Sequence, residues 1–521
     1  MRRREWRASA RWRMVGKAVF VLVVVAAIVH SAAVVVLGRR VEARLAALRA
    51  AGQPVSVTEL AGPPVPDDQN AATVYRGIFR TLPTTGGQFP SQPSGSSAPR
   101  PAILDWAPEP SAQAQEDARV LGHYLDPERR AQEAGLHERA RRAVARYAEI
   151  PRLTAQAVAR PQCRFPVNWE DGAGALVPHL LRIGSLARFL AAKAVLDARD
   201  GRMAEAAQAV TLTFQVSESL RDDPSLIGQL VRMAALQVGA TALREVSEWG
   251  DIPEEDARRL ADTLARIDPG PGFVEAMAVE RAMGISVFGR VGRRSSAGPP
   301  SPANGASNIS RVASAYPWWH LVARPLLYAD QLAYLDLMGR QVAAAEERSA
   351  RAAQAQLAAA EQAARSLPWF AILSHVGSVA FTSYGRARLG LDRAHAALAG
   401  SRALLGLVVY RQRFGAYPES LAALRQRLNW EVPDDPFSEK PLVYRRQGSG
   451  FLLYSVGPDM KDDGGRPTRE LRERIGAGVL LRDRRTGATT PAPEAMDRPA
   501  APGGAPTKDA GAGDLVWQRG H

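Results

Sequence analysis

A histidine that follows two carboxylates is the group in this sequence closest to a catalytic arrangement. Glu170 and Asp171, next to Trp169, precede His179 across a glycine-rich turn. A histidine oriented by a carboxylate can act as a general base. The spacing therefore allows a hydrolase of unrecognised type centred on His179. A buried histidine with a purely structural role fits the same residues, and we favour it.

An acidic, glycine-rich loop near the C-terminus has the composition of a cation site. The segment Gly457 to Gly465 reads GPDMKDDGG and carries three aspartates. Calcium takes roughly six to eight oxygen ligands from carboxylates and carbonyls, and glycines let a loop curl around the ion. The D-x-x-D-D-G spacing differs from the helix–loop–helix motif, in which Lys461 would have to be an acid. The loop is compatible with calcium binding and equally with a solvated acidic turn.

The single cysteine and the missing motifs limit other chemistry. Cys163 allows no intrachain disulfide and no multi-cysteine metal site. Cys163 could still form a disulfide with a second chain or remain an idle thiol, and we favour the idle thiol. The sequence contains no P-loop, dinucleotide-binding glycine pattern, H-E-x-x-H or G-x-S-x-G motif. We therefore expect a protein that is not an enzyme.

One uncharged apolar run near the N-terminus decides where most of the chain lies. Ala18 to Gly38 contains 21 residues, and a helix needs roughly 20 to cross a bilayer core. Short basic flanks stay in the cytoplasm. We predict a single-pass inner-membrane protein with a cytoplasmic N-terminus and a periplasmic bulk. The basic flank consists of Arg2, Arg3, Arg4, Arg7, Arg11, Arg13 and Lys17, opposed only by Glu5.

A cleaved signal peptide is the alternative for this run. Val29-His30-Ser31 before Ala32 loosely resembles a cleavage site. However, the apolar stretch continues past it and exceeds the roughly 7–15 residues of a signal-peptide core, so we favour an uncleaved anchor. The chain has a net charge of +14. The positive charges that precede the apolar run account for part of it, and their role is to set the membrane topology. Trp6 and Trp12 fit a membrane interface, so we expect the lipid bilayer, and not nucleic acid, as a partner.

Helical periodicity dominates the middle of the chain. Apolar residues recur at three- and four-residue spacings, and short loops favour antiparallel hairpins. Ala194 to Ala206 resembles the middle of a tetratricopeptide repeat, but one unit without a sustained period favours an ordinary helical hairpin. The predicted helices are 39–51, 70–80 with Asp67 or Asp68 as cap, 112–125, 127–159, 176–198, 203–220, 226–249 capped by Ser225, and 254–267.

Compositional bias predicts three segments without fixed structure, which are 83–101, 292–308 and 485–521. Leu367 to Phe381 is apolar but interrupted by polar residues, and we predict a buried helix there because the segment is too short to span a membrane. An aromatic patch could bind a ligand or partner, although core packing is the interpretation we favour. The patch comprises Tyr316, Trp318, Trp319, Tyr328 and Tyr334.

The chain changes character after about Thr382. A helix from about Ser383 to Phe414 is broken by a Gly-Ala-Tyr-Pro sequence. Pro441 to Gln447 and Phe451 to Val456 alternate and are rich in β-forming residues. The three residues Gly448-Ser449-Gly450 between them predict a β-hairpin. We therefore predict a small α+β module over 382–468.

This order of elements resembles the globular end of the major pseudopilin of type II secretion systems. The resemblance rests on YRQRFGAYPESL, DPFSEKPLVYR and GFLLYSVGPDMKDDGG, in that order. In that family the helix packs on a small antiparallel sheet and the final loop binds calcium. The resemblance therefore implies that calcium is bound here by Ser455, Asp459, Asp462 and Asp463.

The rest of the chain departs from that family. Pseudopilins have a membrane helix continuous with this module, a prepilin processing site and a Glu five residues into the apolar run. Val15-Gly16-Lys17-Ala18 lacks that pattern, and the run contains no acid. We expect instead a non-enzymatic, membrane-anchored envelope protein that is a helical interaction platform for protein partners. A pseudopilin-related secretion component and the hydrolase are the alternatives, and the oligomeric state stays open.

The predicted fold class is mainly α. It combines an N-terminal transmembrane helix, a multi-helix domain of antiparallel hairpins and a small α+β module with a β-hairpin. The predicted organisation is a cytoplasmic arm (1–17), an anchor (18–38), a stalk and short helix (39–82), a disordered loop (83–101), a helical domain (102–381), the pseudopilin-like module (382–468) and a disordered tail (485–521).

Overall fold

The structure is a computed structural model that describes residues 2–60, 62–85, 102–106, 108–291, 323–366, 372–465 and 515–519. The described chain is mainly helical and contains one small antiparallel sheet, which confirms the predicted fold class at this level. It divides into two compact units. The first comprises Met1–Leu60, Ala278–Val342 and Gln356–Ser383, and the second comprises Ala61–Met277, Ala343–Ala355 and Tyr384–His521.

Helices make up most of the described chain. In chain order they are α1 (Arg2–Ala50), α2 (Ala71–Thr81), α3 (Ala112–Leu125), α4 (Pro127–Gln132), α5 (Leu136–Arg146), α6 (Glu149–Val158), α7 (Pro178–Arg199), α8 (Met203–Glu218), α9 (Leu226–Trp249), α10 (Glu254–Ala265), α11 (Gly270–Val291), α12 (Arg324–Glu346), α13 (Ala350–Arg365), α14 (Ile372–Phe414) and α15 (Ala422–Leu428). Short 3-10 helices lie at Val57–Leu60, Ala102–Trp106 and Trp169–Gly174.

Helix α1 joins the predicted arm, anchor and stalk into one element of 49 residues. It ends where Gly52 adopts a φ of +69°, a conformation that favours glycine, and where Pro54 cannot continue the helix. An 18-residue window in α1 has a mean hydropathy of 2.9 and is 0% buried. Such a helix is compatible with a single membrane span or a signal sequence.

Helices α7, α8 and α9 pack against one another at the centre of the second unit. Their bounds follow the predicted ones closely because local signals end them. Gly201 turns the chain at a φ of +77°, and Ser225 Oγ accepts a 3.0 Å hydrogen bond from Gly228 N. Helix α9 is apolar enough to cross a membrane, but 61% of its apolar window is buried, as in a core helix.

The region before this core is more interrupted than predicted. The single helix predicted for 127–159 is wrong, because α4, α5 and α6 occupy that range. Gly135, at a φ of +71°, separates the first two, since this left-handed conformation breaks a helix. The predicted cap of α2 is also wrong: Asn70 Oδ1, and neither Asp67 nor Asp68, accepts a 3.1 Å hydrogen bond from Ala72 N.

Helix α14 is continuous across residue 382, where we predicted a break. The predicted separation of a helix ending at Phe381 from one beginning at Ser383 is therefore wrong. Residues 372–384 contain no proline, and an isolated glycine weakens a helix without ending it. We also predicted that the helix at 367–381 is buried, but the side chains of these residues lie outside the part of the chain that the structure describes.

A three-stranded antiparallel sheet, in the order β1-β2-β3, completes the second unit. Strands β1 (Val443–Gln447) and β2 (Gly450–Ser455) form the predicted hairpin. Gln447 pairs with Gly450, so the turn has two residues and not the predicted three. Gly448 has a φ of +55°, which is the conformation that tight hairpin turns require.

The third strand, β3 (Leu515–Arg519), lies inside the predicted disordered tail and corrects that prediction for these residues. It pairs with β2, with Leu453 opposite Trp517. The buried Trp517 ring packs over Gly400 of α14, where an added Cβ would lie only 2.4 Å from the ring.

Of the predicted disordered loop 83–101, the structure describes residues 83–85 and corrects the prediction there, because Thr84 is buried and its Oγ1 lies 3.1 Å from Ser185 Oγ. Residues 86–101, the predicted loop 292–308 and the rest of the tail lie outside the described residues.

Candidate functional site

Asp435 is a shared hydrogen-bond acceptor in the C-terminal module. One of its donors is Ser455, which we predicted to be a calcium ligand. Ser455 Oγ donates to Asp435 Oδ1 at 2.7 Å, and Val456 N donates to Asp435 Oδ2 at 3.1 Å. Phe437 N and Ser438 Oγ donate to the same carboxylate. Both Asp435 and Ser455 are buried. The sequence predicts a turn at Asp435, which accounts for the two local donors. The donors Ser455 and Val456 reach this carboxylate through long-range packing.

Two of the three aspartates of the acidic loop, Asp459 and Asp462, accept hydrogen bonds within or next to the loop. Asp462 Oδ1 accepts from Tyr454 Oη at 2.7 Å and from Gly464 N at 2.9 Å, and these hydrogen bonds lower the pKa of its carboxyl. Asp459 Oδ1 accepts from Lys461 N at 3.2 Å, and Asp463 is exposed. Among the described residues, no group of three or more His, Cys, Asp or Glu side chains is placed to hold a metal ion. Calcium binding stays a prediction.

His179 lies at the start of α7 and has a different carboxylate partner from the predicted one. Its Nε2 is 3.4 Å from Asp223 Oδ2, and its ring stacks on Phe165 with 4.2 Å between centroids. Asp171 is exposed and accepts instead from Asn168. The His179 side chain is 0% exposed, so a substrate could reach it only after local opening. The hydrolase alternative stays a prediction.

Cys163 is half-buried on the segment between α6 and α7. Burial, followed by the negative charges of Asp223 and Asp222, raises the pKa of its thiol. A thiol with a raised pKa contains little thiolate, the nucleophilic form. The thiol is therefore a weak nucleophile here, and its choice between an idle role and a bond between two chains stays a prediction.

The described members of the aromatic patch lie in the first unit. Tyr334 Oη donates to the main-chain oxygens of Glu280 and Arg281, both at 3.2 Å, and its ring packs against Phe288. Tyr334 is therefore a core residue. Tyr328 lies against Gly38, at the end of the apolar run, and the other three aromatics of the patch lie outside the described residues.

A cleft of about 380 Å³ opens in the second unit, between the end of α2 and the start of α3. It is lined by Arg80, Glu109, Ser111, Tyr147 and Arg182, together with apolar residues of both helices. Small-molecule sites in proteins have volumes of about 300–1,000 Å³. The size and the mixed lining make this cleft a candidate binding site that sequence analysis missed.

Arg182 is the most unusual residue in this cleft. It lies one helical turn after His179 on α7, is only 4% exposed and donates to the main-chain oxygen of Pro108. Burial lowers the pKa of its guanidinium. The sequence did contain a signal, since Arg182 is a charged residue in the predominantly apolar first half of α7. That position alone does not show whether a carboxylate pairs with it.

Arg232 provides a reference for a buried arginine with complete pairing. It is 0% exposed on α9, and its Nη2 lies 2.9 Å from Glu218 Oε1 and 3.0 Å from Glu218 Oε2. It also donates to Gln229 Oε1 and to the main-chain oxygen of Asp268. These contacts join α8, α9 and the start of α11.

Comparisons with known proteins do not assign a family to this chain. No family model matches it, and neither the curated proteins nor the solved structures contain a significant match. The functional conclusions therefore rest on the residues and contacts of the chain itself.

Proposed function

We propose that this chain is a membrane-anchored envelope protein in which α1 is the single span and the helical body binds another protein without catalysing a reaction. One observation carries the proposal: the apolar window of α1 is 0% buried, next to a strongly basic N-terminal flank. An exposed apolar helix of this length is stable in a bilayer and costly in water. The basic flank favours a cytoplasmic N-terminus.

The chemistry of the body supports binding more than catalysis. His179 is enclosed and Cys163 has a raised thiol pKa, which leaves the two residues best suited to acid–base or nucleophilic work in unreactive surroundings. Ile227 and Leu230, near the start of α9, are exposed. They lie three residues apart on one face of the helix, and such adjacent apolar side chains offer a surface for a protein contact.

A pseudopilin-related role in a secretion apparatus is the second candidate. The long helix α14 followed by a small antiparallel sheet is the observation that favours it. Under this proposal the C-terminal module binds subunits of a secretion machine.

Reporter fusions test the anchor and its orientation. Alkaline phosphatase fused after His521 should be active, because that enzyme folds only outside the cytoplasm, and a cytoplasmic reporter at the same position should be silent. A control with residues 18–38 replaced by leucine should behave in the same way if the run is only an anchor. Changing Arg2, Arg3, Arg4 and Arg7 to Glu should reduce phosphatase activity. Activity of the cytoplasmic reporter alone would refute the proposal.

Photo-crosslinking in intact cells tests the platform role. A photoreactive amino acid at Ile227 or Leu230 should give one defined adduct, whereas the same group at exposed Glu205 on α8 should not. Adducts with secretion-machine subunits would support the second candidate. The absence of an adduct from all exposed positions on the body would overturn the platform proposal.

A further inference from the structure

The cleft between α2 and α3 contains a buried positive charge without a protein counter-ion. Within the part of the chain that the structure describes, the recorded partner of Arg182 is one main-chain oxygen, that of Pro108, and no carboxylate forms an ion pair with it. Arginine does not lose its proton in proteins. A charge that is mostly buried is costly unless it is paired, so an anion in the cleft would lower this cost.

Nearby acidic residues do not supply this anion. Among the described residues that line the cleft, Glu109 is the one acidic side chain. Glu109 borders the cleft, but its side chain is exposed and forms no ion pair with Arg182 in the structure. Asp117 is already occupied by Arg146 and by Tyr147 Oη.

Two further groups make the cleft favourable for an anion. Arg80 lines its rim and is exposed, so it can move toward a ligand. The first turn of the 14-residue helix α3 borders the same space through Ser111 and Ala114, and a helix N-terminus attracts negative charge. The C-terminal end of α2 and the Glu109 carboxylate contribute negative charge at the same cleft. The two arginines and the N-terminus of α3 together outweigh them, so the net charge around the cleft is positive.

We propose that this cleft binds a carboxylate or phosphate group of a small organic molecule, with Arg182 as the main anchor and Arg80 as the second. The planar guanidinium of arginine matches both groups because it can form two parallel hydrogen bonds. The volume of about 380 Å³ accommodates the charged group and a small organic body. This inference does not depend on the membrane topology or on the platform role.

Thermal unfolding of the full chain in non-ionic detergent, with phosphate or acetate titrated against chloride at constant ionic strength, tests the proposal. At least one of the two oxyanions should raise the unfolding temperature saturably in the unmodified chain. Arg182→Met should weaken its affinity about 10- to 100-fold, because two charge-assisted hydrogen bonds are lost. Arg80→Gln, at the exposed rim, should weaken it about two- to fivefold.

Arg188 supplies the matched control. It lies on the same helix α7, is half-buried and does not line the cleft. Arg188→Met should therefore keep the oxyanion effect of the unmodified chain. The proposal would be overturned if neither oxyanion gave a saturable effect, or if Arg182→Met and Arg80→Gln both kept it unchanged.

A second arm identifies the source of the anion. The full chain is reconstituted in nanodiscs of phosphatidylcholine with or without phosphatidylglycerol. Stabilisation by phosphatidylglycerol that Arg182→Met removes would assign a lipid headgroup, whereas Arg182-dependent binding of the dissolved oxyanion alone would assign a soluble ligand. Either result supports the oxyanion site, and the loss of both refutes it.

Discussion

Two buried arginines in the second unit differ in how many protein groups pair with them. Arg232, at the junction of α8, α9 and α11, is 0% exposed and is held by Glu218, Gln229 and the main-chain oxygen of Asp268. Arg182, in the cleft beside α3, is 4% exposed and is recorded with one protein acceptor.

The difference indicates two separate roles for a buried cation. The Arg232 junction is complete without a ligand, because a carboxylate pairs with its positive charge and each of its three guanidinium nitrogens has a protein acceptor. The Arg182 cleft leaves the charge and much of its hydrogen-bonding capacity for something outside the chain. A buried charge is costly unless it is paired, so we use the pairing around each arginine to separate a role in the fold from a role in ligand binding.

Removing Arg232 should have the largest effect on stability. Arg232→Met leaves Glu218, Gln229 and the Asp268 carbonyl without their partner. Breaking a buried pair typically costs about 3–5 kcal/mol. We expect about 3 kcal/mol, at the lower end, because 24% of the Glu218 side chain reaches solvent. Urea unfolding of the full chain in detergent measures this change.

Two variants serve as controls for this prediction. Arg182→Met should change the free energy of unfolding by less than about 1 kcal/mol, since one hydrogen bond is lost and one unpaired charge is removed. Adding Glu218→Leu to Arg232→Met should recover part of the loss, because removing both partners costs less than removing one. Equal losses for Arg232→Met and Arg182→Met would contradict the comparison.

Gly272→Ala tests how tightly the Arg232 junction is packed. An added Cβ would lie 2.8 Å from Gln229 Oε1, 2.9 Å from the main-chain oxygen of Arg221 and 3.1 Å from Arg232. The main-chain oxygen cannot move cheaply, so we expect a loss of about 1–3 kcal/mol. Equilibrium unfolding checks it, and a stabilised variant would show that the junction is looser than these distances indicate.

Gly184→Ala is the corresponding change beside Arg182, and its effect should have the opposite sign. An added Cβ at Gly184 meets nothing within 4 Å. Alanine is favoured over glycine inside a helix by about 0.8–1.0 kcal/mol, so we expect a stabilisation of up to about 1 kcal/mol. A higher unfolding temperature with an unchanged oxyanion response would agree with this prediction, whereas destabilisation would count against open space at this position.

Asp268→Asn should produce the smallest effect, which should be present near neutral pH and disappear at acidic pH. The hydrogen bond from His395, followed by that from Gly270 N, lowers the pKa of the Asp268 carboxyl below its usual 3.8. A carboxyl with a lowered folded-state pKa contributes stability above its unfolded pKa and loses that contribution as the pH falls through the folded value. The variant should therefore lose less stability than the unmodified chain below about pH 4.

Unfolding between pH 3 and 6 measures this difference. The matched control is Asp262→Asn, which changes an exposed aspartate of α10 that has no recorded ion pair among the described residues. The control should follow the unmodified chain. If the free energies of unfolding of Asp268→Asn and Asp262→Asn changed identically between pH 3 and 6, the stabilisation that we assign to the His395 hydrogen bond would be contradicted.

The parts of the fold that could be predicted depend on neighbouring residues. The apolar run of α1, the bounds of α7, α8 and α9, the Ser225 cap and the β1–β2 hairpin all follow from patterns a few residues long. The third strand could not be predicted in this way. Its five residues, Leu515–Arg519, lie far from β2 in sequence and in a compositionally biased tail.

The candidate sites were less predictable than the helices. Sequence proximity suggested Asp171 as the partner of His179, whereas the structure places Asp223 beside it. Ser455 was assigned to calcium by resemblance, whereas the structure pairs it with Asp435. Both differences arise because a charged or polar side chain takes the partner that packing brings near, and sequence distance says little about that partner.

The amino-acid sequence by itself determined that this protein has a long apolar N-terminal helix and a mainly helical body, because hydrophobic periodicity and capping residues act within one or two helical turns. Only the tertiary structure decided which buried arginine is paired with a carboxylate and which faces an open cleft. Pairing of charges requires side chains from distant segments to meet within about 4 Å, and the packing of the whole unit determines those distances.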